Sequence, residues 1–209
     1  MTADAQFRIE SVASVPWVDL ERVLGTRGDP AGCWCQYFKL QGKAWAEVTT
    51  DACAGMLREQ VRASSPGPGV VAYLDEEAVG WCAVEPKTAY PRLRRTKVVV
   101  QGSRHEADHA SVWAVTCFVV RVGYRRRGVA AALLRAAVEQ ARSQGARVIE
   151  GYPVDVTRRP GAPSAELYHG TQTLFTAAGF AVVSRPTEDR SVMELVLQGR
   201  AAASSQPKT

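Results

Sequence analysis

Residues 111–120 read SVWAVTCFVV, residues 121–130 RVGYRRRGVA and residues 131–141 AALLRAAVEQA. The first block is an almost unbroken apolar run rich in β-branched and aromatic residues, the pattern of a strand buried on both faces. The third places Val129, Ala130, Leu133, Leu134, Ala137, Val138 and Ala141 at helical spacing, so it reads as an amphipathic helix. Between them lie Gly123, Gly128 and a knot of arginines. A strand that passes through an Arg/Gly turn into a helix N-terminus suits a phosphate group. The N–H groups of the first helical turn have no intrahelical acceptor, and the helix dipole favours negative charge there.

Working outward, residues 147–152 (RVIEGY) form the next strand, and a helical crossover makes it parallel to the first. Upstream, residues 70–74 and 79–85 flank the acidic turn DEE (75–77) as a β-hairpin. Residues 7–13 give a first strand, 15–24 a short helix and 50–63 a longer one, with Thr50 and Asp51 as its N-caps. Downstream, residues 165–178 read as helix, at least from Thr171 on, Gly179 as its C-terminal stop, and 180–184 with 192–197 as an antiparallel pair. Residues 25–32, 86–109 and 153–165 read as loops, the last two long enough to suggest lids. The expectation is an α/β fold with a mixed sheet flanked by helices, one domain over residues 1–199 and a disordered tail at 200–209.

Composition sets outer limits. The 209 residues are 46% hydrophobic, enough for a substantial core, and no window approaches the roughly 18 apolar residues of a membrane span. The first residues, MTADAQFRIE, lack a signal-peptide core, and five cysteines in no paired pattern suit reduced thiols, so a cytoplasmic location is expected. A net charge of +5 attracts an anionic ligand but is too evenly spread to argue for nucleic acid. The stretch HEADH (105–109) matches His-Glu-x-x-His, yet its surroundings are polar all round, where a zinc-binding helix needs an apolar face; no metal is expected. Cys33-x-Cys35 has the wrong spacing for a zinc half-site, and CWCQYF (33–38) reads as a short strand or an aromatic lining of a cavity.

Residues 125–130, RRRGVA, fit the pattern Gln/Arg-x-x-Gly-x-Gly/Ala, and Ala178–Gly179–Phe180 closes the following helix. With the order strand, turn, helix, strand, loop, helix, the chain resembles the GCN5-related N-acetyltransferase superfamily over residues 70–197, and over 7–63 by element order alone. The resemblance implies acetyl-coenzyme A as cofactor. Phe118, Val119 and Val120 would contact its pantetheine arm and acyl carbonyl. Arg125, Arg126, Arg127, Gly128, Val129, Ala130 and Ala131 would wrap its pyrophosphate. It further implies a β-bulge that splays the central strand from its parallel neighbour, and a homodimer as a common assembly.

The implied reaction is acetyl transfer to a primary amine by direct attack in a ternary complex. It requires a proton acceptor for the amine, a backbone N–H near Val119 or Val120 for the oxyanion, and a proton donor for the thiolate. In many members a Tyr four residues before the closing Gly is that donor; here the position is Phe175. Tyr168, His169 and Tyr152 are the substitutes considered, with Glu150 and Glu85 as bases. Glu150 stands out because a carboxylate in an apolar strand is costly unless paired or protonated. Asp155 is a candidate for the positive end of a substrate, and Arg92, Arg94, Arg95 and Lys97 for an acidic substrate or the adenosine phosphate. The acceptor stays open among a small amine, an amino acid derivative, an antibiotic and a protein or peptide amine, with the loops favouring a small molecule. A non-catalytic acyl-coenzyme A-binding module is the alternative that Phe175 raises.

Overall fold

The computed structural model describes residues 7–25, 28–106 and 109–197; the tail expected at 200–209 lies outside them. Its strands are β1 (Arg8–Ser11), β2 (Gly69–Leu74), β3 (Glu77–Pro86), β4 (Val112–Val120), β5 (Val148–Gly151), β6 (Ala181–Ser184) and β7 (Val192–Val196). They form a seven-stranded sheet in the order β1-β2-β3-β4-β5-β7-β6. Every neighbouring pair is antiparallel except β4 and β5, which the helical crossover forces to run parallel. The β2–β3 hairpin turns on Asp75 and Glu76, both left-handed (φ 50° and 64°), a conformation that matches the twist of tight hairpins.

One face is covered by α6 (Val129–Ser143) and α7 (Gln172–Ala177). Leu133, Leu134 and Ala137 of α6 are fully buried against Phe118, Phe175 and Met193. Each buried leucine there is worth about 1.5–3 kcal/mol. Gly80 on β3 fixes how closely α6 seats, since a Cβ there would lie 2.7 Å from Val129 Cγ1. The opposite face carries α1 (Trp17–Leu24), α2 (Asp29–Cys33), α3 (Gly42–Glu47) and α4 (Thr50–Ala63), with Leu20, Leu57 and Trp81 at the centre of their packing. The cap of α4 is Thr49, one residue before the expected pair, whose side chain accepts from Ala52 N–H at 3.2 Å.

Two expected loops contain more order than anticipated, and one expected helix contains less. Residues 25–32 hold the start of α2. Residues 86–109 hold 3₁₀ turns and α5 (Lys97–Gly102), so the valines at 98–100 are helical; tertiary contacts override their strand propensity, with Val99 buried beside Tyr90 and Leu93. The helix expected across 165–178 is broken into a 3₁₀ turn (Ser164–His169) and α7, because Gly170 (φ 79°) turns the chain between them.

The central strand departs from regularity where the cofactor slot was expected. Ala83 pairs with Cys117 but Val84 with Val115, leaving Thr116 as the extra residue of a β-bulge. The ladder from β4 to β5 stops at Val115 and Gly151, so from Thr116 onward β4 pairs only with β3. Among the described residues, no helix is long and apolar enough to cross a membrane.

Candidate active site

The turn after β4 starts with Arg121 N–H bonded to Val79 O (2.9 Å) and Tyr124 N–H to Arg121 O (3.1 Å); α6 bonding begins with Ala132 N–H to Gly128 O (3.0 Å). Between these, the N–H groups of residues 125–131 have no backbone acceptor among the described residues. Arg126 (φ 60°) and Gly128 (φ 88°) have positive φ and Arg127 between them does not; an alternation of this kind is the basis of backbone nests that bind anions. At Gly128 the requirement is backbone conformation, because an added Cβ would meet only Phe7 Cε2 at 3.7 Å. Arg125 Nε bonds Val120 O (3.2 Å) and Arg127 lies over the Tyr124 ring. The arrangement fits a diphosphate: orphaned donors at a helix N-terminus, with exposed guanidinium groups around them.

Past the bulge, Phe118 and Val120 face α6, whereas Cys117 and Val119 face the opposite layer. Because Arg121 N–H points to β3, alternation along the strand turns the Val120 and Phe118 N–H groups away from β3 into the splay. Against the Cys117 side lies the segment CWCQYF, which forms no strand. Trp34 and Cys35 are both left-handed (φ 43° and 55°), a costly conformation for such side chains. It brings the Cys35 sulfur to 3.0 Å from Trp81 Nε1, which donates to it. A hydrogen bond from Cys117, and then the Trp81 bond, draw the Cys35 thiol below its ordinary pKa, while the same contact pushes Cys117 well up.

Aromatic rings close the space around this face. Tyr37 packs edge-on against Trp45 (5.2 Å between centroids), Phe38 against His169 (5.5 Å), and His169 against Tyr168 (4.1 Å). Arg92, from the basic cluster, lies over the Tyr37 ring at 4.5 Å. The 3₁₀ turn brings Tyr168 and His169 to β4. His169 is only 5% exposed, it lies beside Thr116 of β4, and its buried Nδ1 has no hydrogen-bond partner. Burial, reinforced by the nearby Arg190 charge, holds the imidazole well below its ordinary pKa, so it is neutral. Tyr168 stays partly exposed, and burial raises its phenol above the ordinary value. Phe175 is fully buried among Phe118, Phe180 and the backbone of Gly151, deep in the core.

The acidic candidates separate. Glu85, Ala114, Glu150 and Glu194 are register partners across β3, β4, β5 and β7, so their side chains share one face of the sheet. Glu85 lies 2.5 Å from Lys39 Nζ, and burial raises its carboxyl above the ordinary value. Glu150 is fully buried and accepts from Lys87 Nζ (2.8 Å), Ser103 Oγ (2.6 Å) and Tyr152 OH (2.7 Å). Burial, then Glu150, raise the Tyr152 phenol far above its ordinary value. The structure therefore brings Tyr168 and His169 together at the bulge with Cys117, and places Glu150 and Tyr152 in a closed network with Lys87. Asp155 pairs with Arg185 (3.1 Å) and Arg158 (3.7 Å). In the His-Glu-x-x-His stretch, residues 107 and 108 lie outside the described residues and His105 Nε2 pairs with Glu194 (3.0 Å). No group of His, Cys, Asp or Glu among the described residues is arranged to hold a metal ion.

Sequence reading missed Lys39, Lys87 and Arg190, whose roles depend on partners far along the chain. Arg190 donates through Nε and Nη2 to Tyr152 O (3.2 and 2.6 Å) at the end of β5.

The sequence profile of the Acetyltransferase (GNAT) family matches residues 34–170. No curated protein matches the sequence. Among solved structures, an N-acetyltransferase from Staphylococcus aureus Mu50 superposes with a TM-score of 0.53 at 13% identity, over 92% of this chain and 99% of that one. The yncA protein of Salmonella typhimurium, solved with its cofactor acetyl-CoA, superposes with a TM-score of 0.52 at 15% identity, over 96% and 99%. At such identities the likeness is one of fold, and it extends over the whole sheet and its covering helices.

Proposed function

The chain belongs to the Acetyltransferase (GNAT) family, and from that premise we propose that it acetylates the primary amine of a small molecule. Bound acetyl-coenzyme A supplies the acetyl group as a thioester. The N–H groups of residues 125–131 are the holders of its diphosphate, and the Val120 and Phe118 N–H groups are the donors toward the carbonyl oxygen.

The observation that carries the proton assignments is the buried, neutral imidazole of His169 at the bulge, with Nδ1 free of any partner. One nitrogen of a neutral imidazole is an acceptor, and His169 is assigned to take the proton of the incoming ammonium, through a bridging water where the ring itself is closed off. Tyr168, next in chain and raised by burial, keeps its hydroxyl proton at neutral pH and gives it to the departing sulfur, the task that Phe175 has no hydroxyl for. Glu85 is committed to Lys39 and shapes the field of the pocket. Glu150 and Tyr152 are assigned to holding Lys87 and the segment around Ser103 in place.

The small-molecule assignment is supported by the walls. Tyr37 packs on Trp45 and Tyr168 on His169, so rings crowd this face, where an extended peptide needs an open groove. Free-thiol release from acetyl-coenzyme A, measured against a panel of small amines and of peptides, tests it. Release with small amines is expected, and release with peptides alone overturns the reading.

A further inference from the structure

Three cations on the acceptor face are matched. Lys87 has Glu150 at 2.8 Å and Lys39 has Glu85 at 2.5 Å. Arg92 covers the Tyr37 and Trp45 rings and donates to Leu40 O. Arg190 differs from these three. It is half-buried, yet among the described residues it forms no ion pair, and its hydrogen bonds go to the single carbonyl of Tyr152. Its neighbour Asp189 is spent on Arg159 at 3.1 Å.

Position makes this guanidinium informative. Arg190 bridges to Val154, which in turn bridges to Thr171, so it lies beside the continuation of β5 where that strand has left β4. Its charge acts on both Tyr168 and His169. Keeping a partly desolvated charge beside a neutral imidazole is costly unless an anion completes it. The Nε–Nη2 edge is turned to Tyr152 O, which leaves the Nη1 end of the fork for a ligand. A carboxylate matches that end in both geometry and single charge.

We propose that Arg190 holds a carboxylate of the acceptor, and that the substrates are therefore amino acids or close derivatives that carry a carboxylate beside the reacting amine. This rests on the small-molecule acetyltransferase reading and narrows it. Peptide N-termini and lysine side chains of proteins lack that carboxylate, as do simple amines.

The test compares matched pairs, phenylalanine with phenethylamine, tyrosine with tyramine and leucine with isoamylamine, by thiol release. Calorimetric titration of the N-acetyl amino acids into the full chain with coenzyme A present is the second readout. A charge-assisted pair predicts a preference of about 10- to 100-fold in kcat/KM for the carboxylated member. Arg190→Gln is expected to bring that ratio close to unity, chiefly through KM, and to abolish the calorimetric heat; Arg190→Lys is expected to restore part of both. Equal or better use of the decarboxylated amines, or an unchanged ratio in Arg190→Gln, overturns the inference, as does absence of heat with the wild-type chain. The two readings fail separately. Loss of coenzyme A binding breaks the acetyltransferase assignment, whereas coenzyme A binding with turnover of decarboxylated amines alone breaks only the role of Arg190.

Discussion

On the cofactor side of the site, residues 125–131 offer main-chain N–H groups from one contiguous turn, and their aim is set by backbone angles at Arg126 and Gly128. On the acceptor side, the proposed Tyr168, His169 and Arg190 come from separate segments and would act through their side chains. A site made of backbone tolerates most side-chain replacements and is sensitive to the few that alter φ. A site made of side chains behaves the other way round. Substitutions on the two sides should therefore separate cleanly into those that change cofactor affinity and those that change turnover.

The largest expected effect is on the acceptor side. His169→Gln removes the proton acceptor while keeping a hydrogen-bonding side chain of similar length, and kcat is expected to fall by about 100- to 10,000-fold. Coenzyme A affinity, measured by calorimetry, is expected to stay at the wild-type value. A parallel loss of affinity would merge the two sides into one. The same residue gives the acceptor side a pH signature. His169 is held well below the ordinary histidine pKa, so below about pH 6.5 the unfolded chain takes up a proton that the folded chain refuses. Stability supplied by the neutral ring is complete above that value and is lost as pH falls toward the folded pKa. Thermal melts from pH 7 down to 5 should show a shallower decline in His169→Gln than in the wild type; equal slopes would place the proton elsewhere.

On the cofactor side, Gly128→Val is the informative change. Space is available there, so the cost is conformational, about 2 kcal/mol for a β-branched residue forced left-handed, or roughly 30-fold in Kd if the turn yields. Coenzyme A binding should weaken by that order while saturating acetyl-coenzyme A restores most of kcat. An unaffected Kd would mean that the N–H groups of this turn are not the grip.

The same contrast explains what was readable in the chain beforehand. The strand, turn and helix over 112–143 are local, and their apolar spacing and RRRGVA pattern stand in one window, so the fold around that turn was legible. The acceptor face was not. Glu150 was conspicuous as a carboxylate in an apolar strand, but its partner Lys87 lies 63 residues earlier, and no local feature marks that pairing. Tyr168 and His169 fall in the segment expected to join one helix with Phe175, and Gly170 divides it. Arg190 sits in PTEDRS, where nothing distinguishes it from a solvated charge; only its half-burial without an ion pair among the described residues does.

The smallest expected effect is also the sharpest test of the contrast. Arg126 is left-handed at φ 60°, which costs an arginine about 1–2 kcal/mol, and its side chain is exposed. Arg126→Gly relieves that strain, gives back about 0.5–1 kcal/mol in chain entropy, and removes one solvent-screened charge worth roughly 0–1 kcal/mol to a bound phosphate. These contributions nearly cancel, so Tm should move by only a few degrees and coenzyme A Kd should change by no more than about 3-fold at 0.15 M salt. At low salt the loss should grow, because the missing guanidinium then acts over a longer range. A drop of tenfold or more at moderate salt would mean that the arginine side chains, and not the N–H groups they accompany, grip the diphosphate, and the two sides of the site would then be built alike.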